Sequence, residues 1–358
     1  MAKSYLVLED GSVFEGEPFG YKGPATGEVV FSTGMSGYQE TITDPSSKGQ
    51  MIVMTYPLIG NYGISDEYFL SGHVQANGLI VRDYCKEPSP MYGGRTLEDL
   101  LVKDKVPGIT GIDTRELVRK IRSSGTFRGI ITSDNDTEQT VKELKRYPLE
   151  SESNLVGEVS CKKIEKHDNG KGLKIGLIDC GGKSILKDLG QRFDVIVFPY
   201  DTAADIIIEN KVKGVVISAG PGDPSHPALT KTTVKTISDL SSQLPIFGTS
   251  LGGQLIAVAM GGKTHKMKFG HHGSNQPVRC EGKVYITSQN HCFAINENSP
   301  GKDMIADQVN VNDGSVEGIK HKKLPIFTTE YLPTASIEPW DTSFLYDKFA
   351  KAAKEGRK

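Results

Sequence analysis

Apolar positions in residues 1–150 fall in short, β-branched runs interrupted by glycine, the spacing of brief strands. Tyr5-Leu6-Val7-Leu8 runs into an Asp10-Gly11 turn, and Gly27 to Thr33 and Met51 to Pro57 are strand-like by residue type. Helical spacing emerges at Thr96 to Lys103 and again at Asp113 to Ser123. In the second stretch Leu117, Val118 and Ile121 mark one apolar face and Asp113 can cap. These features predict a mixed, β-rich domain over residues 1–150.

Residues 151–172 turn polar and irregular, ending in His167-Asp168-Asn169-Gly170-Lys171-Gly172, and are expected to form a linker. From Leu173 the pattern changes to near-continuous apolar runs (Leu173 to Asp179, Asp194 to Phe198, Gly214 to Ser218, Pro245 to Gly248). Amphipathic segments near Ser184 to Leu189, Ala203 to Glu209 and Thr232 to Ser241 separate them. Apolar strands alternating with helices imply a parallel sheet covered on both faces. Residues 173–358 are therefore expected to form an open α/β domain that binds ligands at the carboxyl ends of its strands.

Composition narrows the possibilities. The chain has 358 residues, enough for two domains, and a net charge of −2 with basic and acidic residues interspersed. That balance lacks the footprint of a nucleic-acid binder, and no apolar stretch reaches the roughly 18 residues a membrane span needs. Five scattered cysteines without a C-x-x-C pair argue against a disulfide framework or a zinc site. With no secretion signal at the start, a cytoplasmic location and no metal are expected.

Two strand ends carry candidate chemistry. Ser218-Ala219-Gly220-Pro221-Gly222-Asp223-Pro224 follows a buried strand but lacks the Gly-Lys-Ser/Thr ending of a phosphate loop. Gly248-Thr249-Ser250-Leu251-Gly252-Gly253-Gln254 leads from a strand into a helix expected over Leu255 to Met260. Such a turn holds Ser250 in a strained, outward conformation, with glycines allowing close backbone passage.

Together these segments resemble the class I glutamine amidotransferase domain, whose elbow reads Gly-x-Cys-x-Gly-His-Gln. The run Lys266-Met267-Lys268-Phe269-Gly270-His271-His272-Gly273-Ser274-Asn275-Gln276-Pro277 and the segment Ser288-Gln289-Asn290-His291-Cys292-Phe293-Ala294 narrow the resemblance to the carbamoyl-phosphate synthase small subunit. Gly37-Tyr38-Gln39-Glu40, Thr43-Asp44-Pro45-Ser46, Gly60-Asn61-Tyr62-Gly63 and Ile112-Asp113-Thr114-Arg115 extend it through the N-terminal half. The resemblance implies a subunit that hydrolyses glutamine and passes ammonia to a large subunit, in a heterodimer. The large subunit uses ATP to make carbamoyl phosphate for pyrimidine or arginine biosynthesis, and no cofactor is expected in this chain. It also implies a glutamine pocket formed by Ser46, Gly220, Gly222, Leu251, Gln254, Asn290 and Phe293.

The catalytic positions depart from the family pattern. Ser250 stands where the nucleophilic Cys belongs, and Gly253 replaces the elbow His. In Glu330-Tyr331-Leu332-Pro333-Thr334-Ala335-Ser336, Leu332 and Thr334 occupy the positions of the base and its acid partner. Amide hydrolysis of this class needs a thiolate, an imidazole and an orienting carboxylate. Glutaminase activity is therefore expected to be lost, leaving a structural or regulatory subunit in an ammonia-dependent complex. Two other readings are a stand-alone glutamine-binding or scaffold protein, and a serine hydrolase built on the Gly-x-Ser-x-Gly spacing at Ser250, with His271, His272, His291 or His321 as base. A dyad of Cys292 with His291 is disfavoured, because adjacent residues of an extended segment point to opposite faces.

Overall fold

The computed structural model describes residues 3–134, 136–333 and 341–356. The chain divides into two units, one of residues 1–150 with 268–272, the other of 151–267 with 273–358.

In the first unit, among the described residues, seven strands close into a barrel. The order is Ser4–Leu8, Val13–Gly20, Pro107–Thr110, Gly78–Ile80, Gln50–Met54, Ala25–Ser32 and Phe127–Thr132. Closure pairs the edge groups that an open sheet would expose. Residues two apart face the same way, so Leu6 with Leu8, Val29 with Phe31, and Met51 with Val53 enter one core. The helix Thr114–Ser124 covers it, adding Leu117 and Ile121 from one face. Asp113 caps that helix by accepting the Glu116 N–H at 2.9 Å.

The five residues 268–272 revise the expected boundary at 150. The Phe269 ring lies 5.7 Å from that of Phe31. The Thr33 N–H donates to the His272 carbonyl at 3.0 Å, and the Thr126 N–H to the Lys268 carbonyl at 3.1 Å. Contacts between residues more than a hundred apart leave no local pattern to read.

The second unit contains a ten-stranded sheet in the order Glu165–His167, Asp194–Pro199, Lys174–Asp179, Val215–Ile217, Ile246–Thr249, Ile326–Thr329, Val316–His321, Lys283–Ile295, Thr264–Cys280, Met304–Asn310. Five of these, from Asp194–Pro199 to Ile326–Thr329, are parallel. Both faces are buried, as alternation within each strand shows. Ile175, Leu177, Val195 and Val197 enter one core, whereas Ile178, Ile196 and Phe198 enter the other. The remaining strands are antiparallel. Because Met304–Asn310 pairs with both Thr264–Cys280 and Val316–His321, that end of the sheet curls onto itself.

Residues 151–172, expected as a linker, instead form part of the second unit. Helix Leu155–Val159 buries Leu155 and Val156, and strand Glu165–His167 pairs antiparallel with Asp194–Pro199 at the sheet edge. Lys183 Nζ binds Glu165 at 2.8 Å, and the Cys161 N–H donates to Asp179 Oδ2 at 2.8 Å. Two buried apolar residues and a polar edge strand are too few to show a period, so the segment reads as irregular. Among the described residues, no helix is long and apolar enough to cross a membrane.

The helix Phe344–Glu355 packs Phe349 against Phe193 and Phe247, at ring distances of 5.8 and 6.2 Å. Phe349→Ala should destabilise the second unit by about 3–5 kcal/mol, the usual cost of emptying a buried aromatic site. Chemical denaturation should register this as a lower midpoint for that unit, and an unchanged midpoint would refute the packing.

Candidate functional site

The strand Ile246–Thr249 lies between two parallel neighbours, and the chain turns sharply where it ends. Ser250 has φ 48° and ψ −120°, a conformation that costs an L-residue about 1–3 kcal/mol. Its N–H donates to the Thr329 carbonyl at 2.6 Å, and its carbonyl accepts the Gln254 N–H at 3.1 Å. The helix Leu251–Ala259 starts directly after it, four residues earlier than sequence alone suggests. Two glycines in its first turn are poor helix formers, but packing overrides them. A β-carbon on Gly252 would sit 2.3 Å from the Ile217 carbonyl oxygen, so no larger residue fits. Gly253 is also confined, with an added β-carbon 3.0 Å from Thr328 Cβ.

Beside the elbow, Ser218 ties two strand ends together. Its Oγ accepts the Cys180 N–H and donates to the Ala219 carbonyl, each at 2.9 Å. The turn continues through Gly220, where a β-carbon would lie 2.1 Å from the Cys180 carbonyl oxygen. Asp179 is buried at the neighbouring strand end. Burial raises its carboxyl above the ordinary range, while the Cys161 and Gly181 N–H groups and Lys183 oppose the shift.

Among the described residues, no proton acceptor bonds the elbow serine. Ser250 is 3% exposed, and its Oγ has no hydrogen-bond partner among the described residues. Leu332 is half-buried and bridges to Ser288, donating its N–H to the Ser288 carbonyl at 3.1 Å. Thr334 lies outside the described residues. The histidines considered as bases are engaged elsewhere. His291 has Nδ1 2.7 Å from the Phe293 carbonyl and Nε2 3.1 Å from Gln289 Oε1. His321 Nδ1 accepts N–H groups from Lys323 and Leu324. His271 and His272 are buried and belong to the first unit. Cys292 is buried, like His291.

Of the expected pocket residues, Leu251, Gln254, Phe293, Gly220 and Gly222 lie on elements connected to the Ser250 elbow. Gln254 directs both amide hydrogens to protein acceptors, the Phe293 carbonyl and Glu330 Oε2, each at 2.8 Å. It thereby joins the elbow helix to the antiparallel strands. Asn290 is half-buried on Lys283–Ile295. Ser46 lies in the first unit, buried in the turn Pro45–Ser47, where its N–H donates to Asp44 Oδ1.

The sequence reading missed the polar interior behind this site. Glu317 and Glu330 are 0% and 1% exposed. Glu317 accepts from Gln289 Nε2 at 2.8 Å and from Asn310 Nδ2 at 2.9 Å. Tyr331 OH donates to Gln308 Oε1 at 2.5 Å. On Lys283–Ile295 the polar residues Thr287, Gln289 and His291 are buried while Ser288 and Asn290 between them are half-buried, so over this stretch the polar positions that normally mark a wet face mark a dry one. Groups buried in this way stay favourable because their hydrogen bonds are made.

Comparison with known proteins gives a consistent result. Residues 6–131 match the family described as carbamoyl-phosphate synthase small chain, CPSase domain, and residues 176–352 match glutamine amidotransferase class-I. The carbamoyl phosphate synthase small chain of Archaeoglobus fulgidus is 44% identical over 99% of this chain and 100% of its own. That of Bacillus cereus is 45% identical over 97% of this chain and 95% of its own, and that of Methanopyrus kandleri 42% over 99% of each.

Gln254→Leu removes two donors from buried acceptors, one of them a carboxylate, and should cost about 1.5–3 kcal/mol in denaturant titrations. A neutral effect would show that the bridge contributes nothing. The buried thiols should also be unreactive. Burial, with help from Asp179, pushes Cys161 up to about 12, and burial pushes Cys280 up to about 11. Brief iodoacetamide treatment at pH 8 should therefore label half-exposed Cys85 well before either, as read by peptide mass spectrometry. Comparable labelling of Cys161 would contradict its environment.

Proposed function

The chain belongs to the family of carbamoyl-phosphate synthase small chains, and we propose that it serves as the small subunit of such a synthase with its glutaminase step lost. In this reading the large subunit uses ATP, bicarbonate and ammonia drawn from solution. The small subunit persists as a structural or regulatory partner and contributes no cofactor.

One observation carries the proposal: the Ser250 hydroxyl is buried with no hydrogen-bond partner among the described residues. A hydroxyl attacks an amide only when a base takes its proton, and it is a weaker nucleophile than the thiolate it replaces. Leu332, which aligns with the base, carries only hydrocarbon, so restoring sulfur at 250 would not restore proton transfer. The same isolated hydroxyl argues against a serine hydrolase. The elbow itself is kept, and the N–H groups of Leu251, Gly252 and Gly253, at the helix start, have no carbonyl four residues back within the helix to bond. The pocket thus retains the backbone features of a carbonyl-binding site without a nucleophile.

Purified chain with its large subunit should form carbamoyl phosphate from ammonium and release no glutamate from glutamine above background. Ser250→Cys alone should remain inactive on glutamine. Glutamate release by the unaltered complex would overturn the proposal.

A further inference from the structure

Glu40, in the first unit, has no part in the chemistry above. It lies in the short helix Tyr38–Thr43, and its Oε2 is buried without a hydrogen-bond partner among the described residues. Burial pushes its carboxyl above the ordinary range, and only its own N–H opposes the shift, with no cation contributing.

Tyrosines gather around this carboxyl. Tyr38 and Tyr62 stack at 4.3 Å, Tyr92 meets Tyr62 edge-on at 6.4 Å, and Tyr68 meets Tyr92 at 5.6 Å. The charge of Glu40 is felt at Tyr38, Tyr62 and Tyr68. Two phenols are tied into the fold: Tyr38 OH donates to the Gly63 carbonyl at 2.6 Å, and Tyr62 OH accepts the Gly37 N–H at 2.8 Å. Tyr68 and Tyr92 bond each other at 3.3 Å. Asp66 and Glu67 precede Tyr68 and are exposed, and the cation beside them, Arg95, is engaged with Asp66 at 2.9 Å. Met35, two residues before Gly37, is 78% exposed, and Met91, next to Tyr92, is 70% exposed.

A carboxyl shielded from water beside a cluster of tyrosines, with acidic neighbours and no cation of its own, is complementary to a positive group. Exposed methionines and half-buried tyrosines around it have the composition of an interface centre. We propose that the tyrosine cluster around Glu40 is a docking point for a basic side chain, Lys or Arg, presented by the large subunit. This rests on the small-subunit reading above.

The test measures the affinity of the full chain for the large subunit, at low and high salt, for the unaltered chain, Glu40→Gln and the more exposed Tyr68→Leu. Glu40→Gln should weaken binding about tenfold and flatten its salt dependence, since a charge pair is removed. Tyr68→Leu should weaken it a few-fold through loss of a ring face. Thermal unfolding of free Glu40→Gln should be unchanged or raised, because no internal partner loses the charge. Equal affinity of both variants and the unaltered chain would overturn this proposal and leave the small-subunit reading standing. Failure of the unaltered chain to bind the large subunit would overturn that reading instead.

Discussion

The close backbone approach around Ser250 is the constraint on which the second unit's candidate site depends. Gly220 and Gly252 bring backbone within 2.1 and 2.3 Å of where a β-carbon would sit, and the Ser250 N–H is fixed to the Thr329 carbonyl. These are contacts of backbone with backbone. They hold the strained turn whether residue 250 carries sulfur or oxygen, and whether or not an imidazole faces it. The cost of about 1–3 kcal/mol for such a conformation is offset by packing of a buried helix between parallel strands.

This separation of scaffold from chemistry means that the elbow's fold does not depend on which reacting group residue 250 carries. Hydrolysis needs three side chains in register, each a terminal group on an otherwise stable frame. Neither Ser250 nor Leu332 carries a charge, so neither places an unpaired ion on that frame. Gln254 is different, because it joins the elbow helix to Phe293 and Glu330. Its role in the fold does not depend on a ligand.

The antiparallel end of the sheet shows a second constraint. Glu317, Gln289, Asn310 and Gln308 are buried between strands, an arrangement that is favourable only when the donors and acceptors match. Glu317 receives two amide donors, and Gln289 in turn meets His291 and Thr287. Such networks specify register, because a slip of one residue would turn each polar group toward the wrong face.

The sequence by itself determined the two-part architecture, the parallel strands and the elbow. Buried strands such as Lys174–Asp179 and Val215–Ile217 are apolar on both faces, and the glycines around Ser250 and in the Gly220 turn mark where backbone must pass closely. That Leu332 has no proton to give or take was equally legible, since a side chain's proton chemistry is a property of its type. Tertiary structure decided what local pattern cannot carry. It drew residues 268–272 into the first unit, gave residues 151–172 a helix and an edge strand, and turned the polar face of Lys283–Ile295 inward. In each case the deciding partner is distant in the chain: Phe31 for Phe269, the strand Asp194–Pro199 for Glu165–His167, and Glu317 for Gln289. A hydrogen bond or packing contact across such separations is set by the folded backbone, and residue spacing has no term for it.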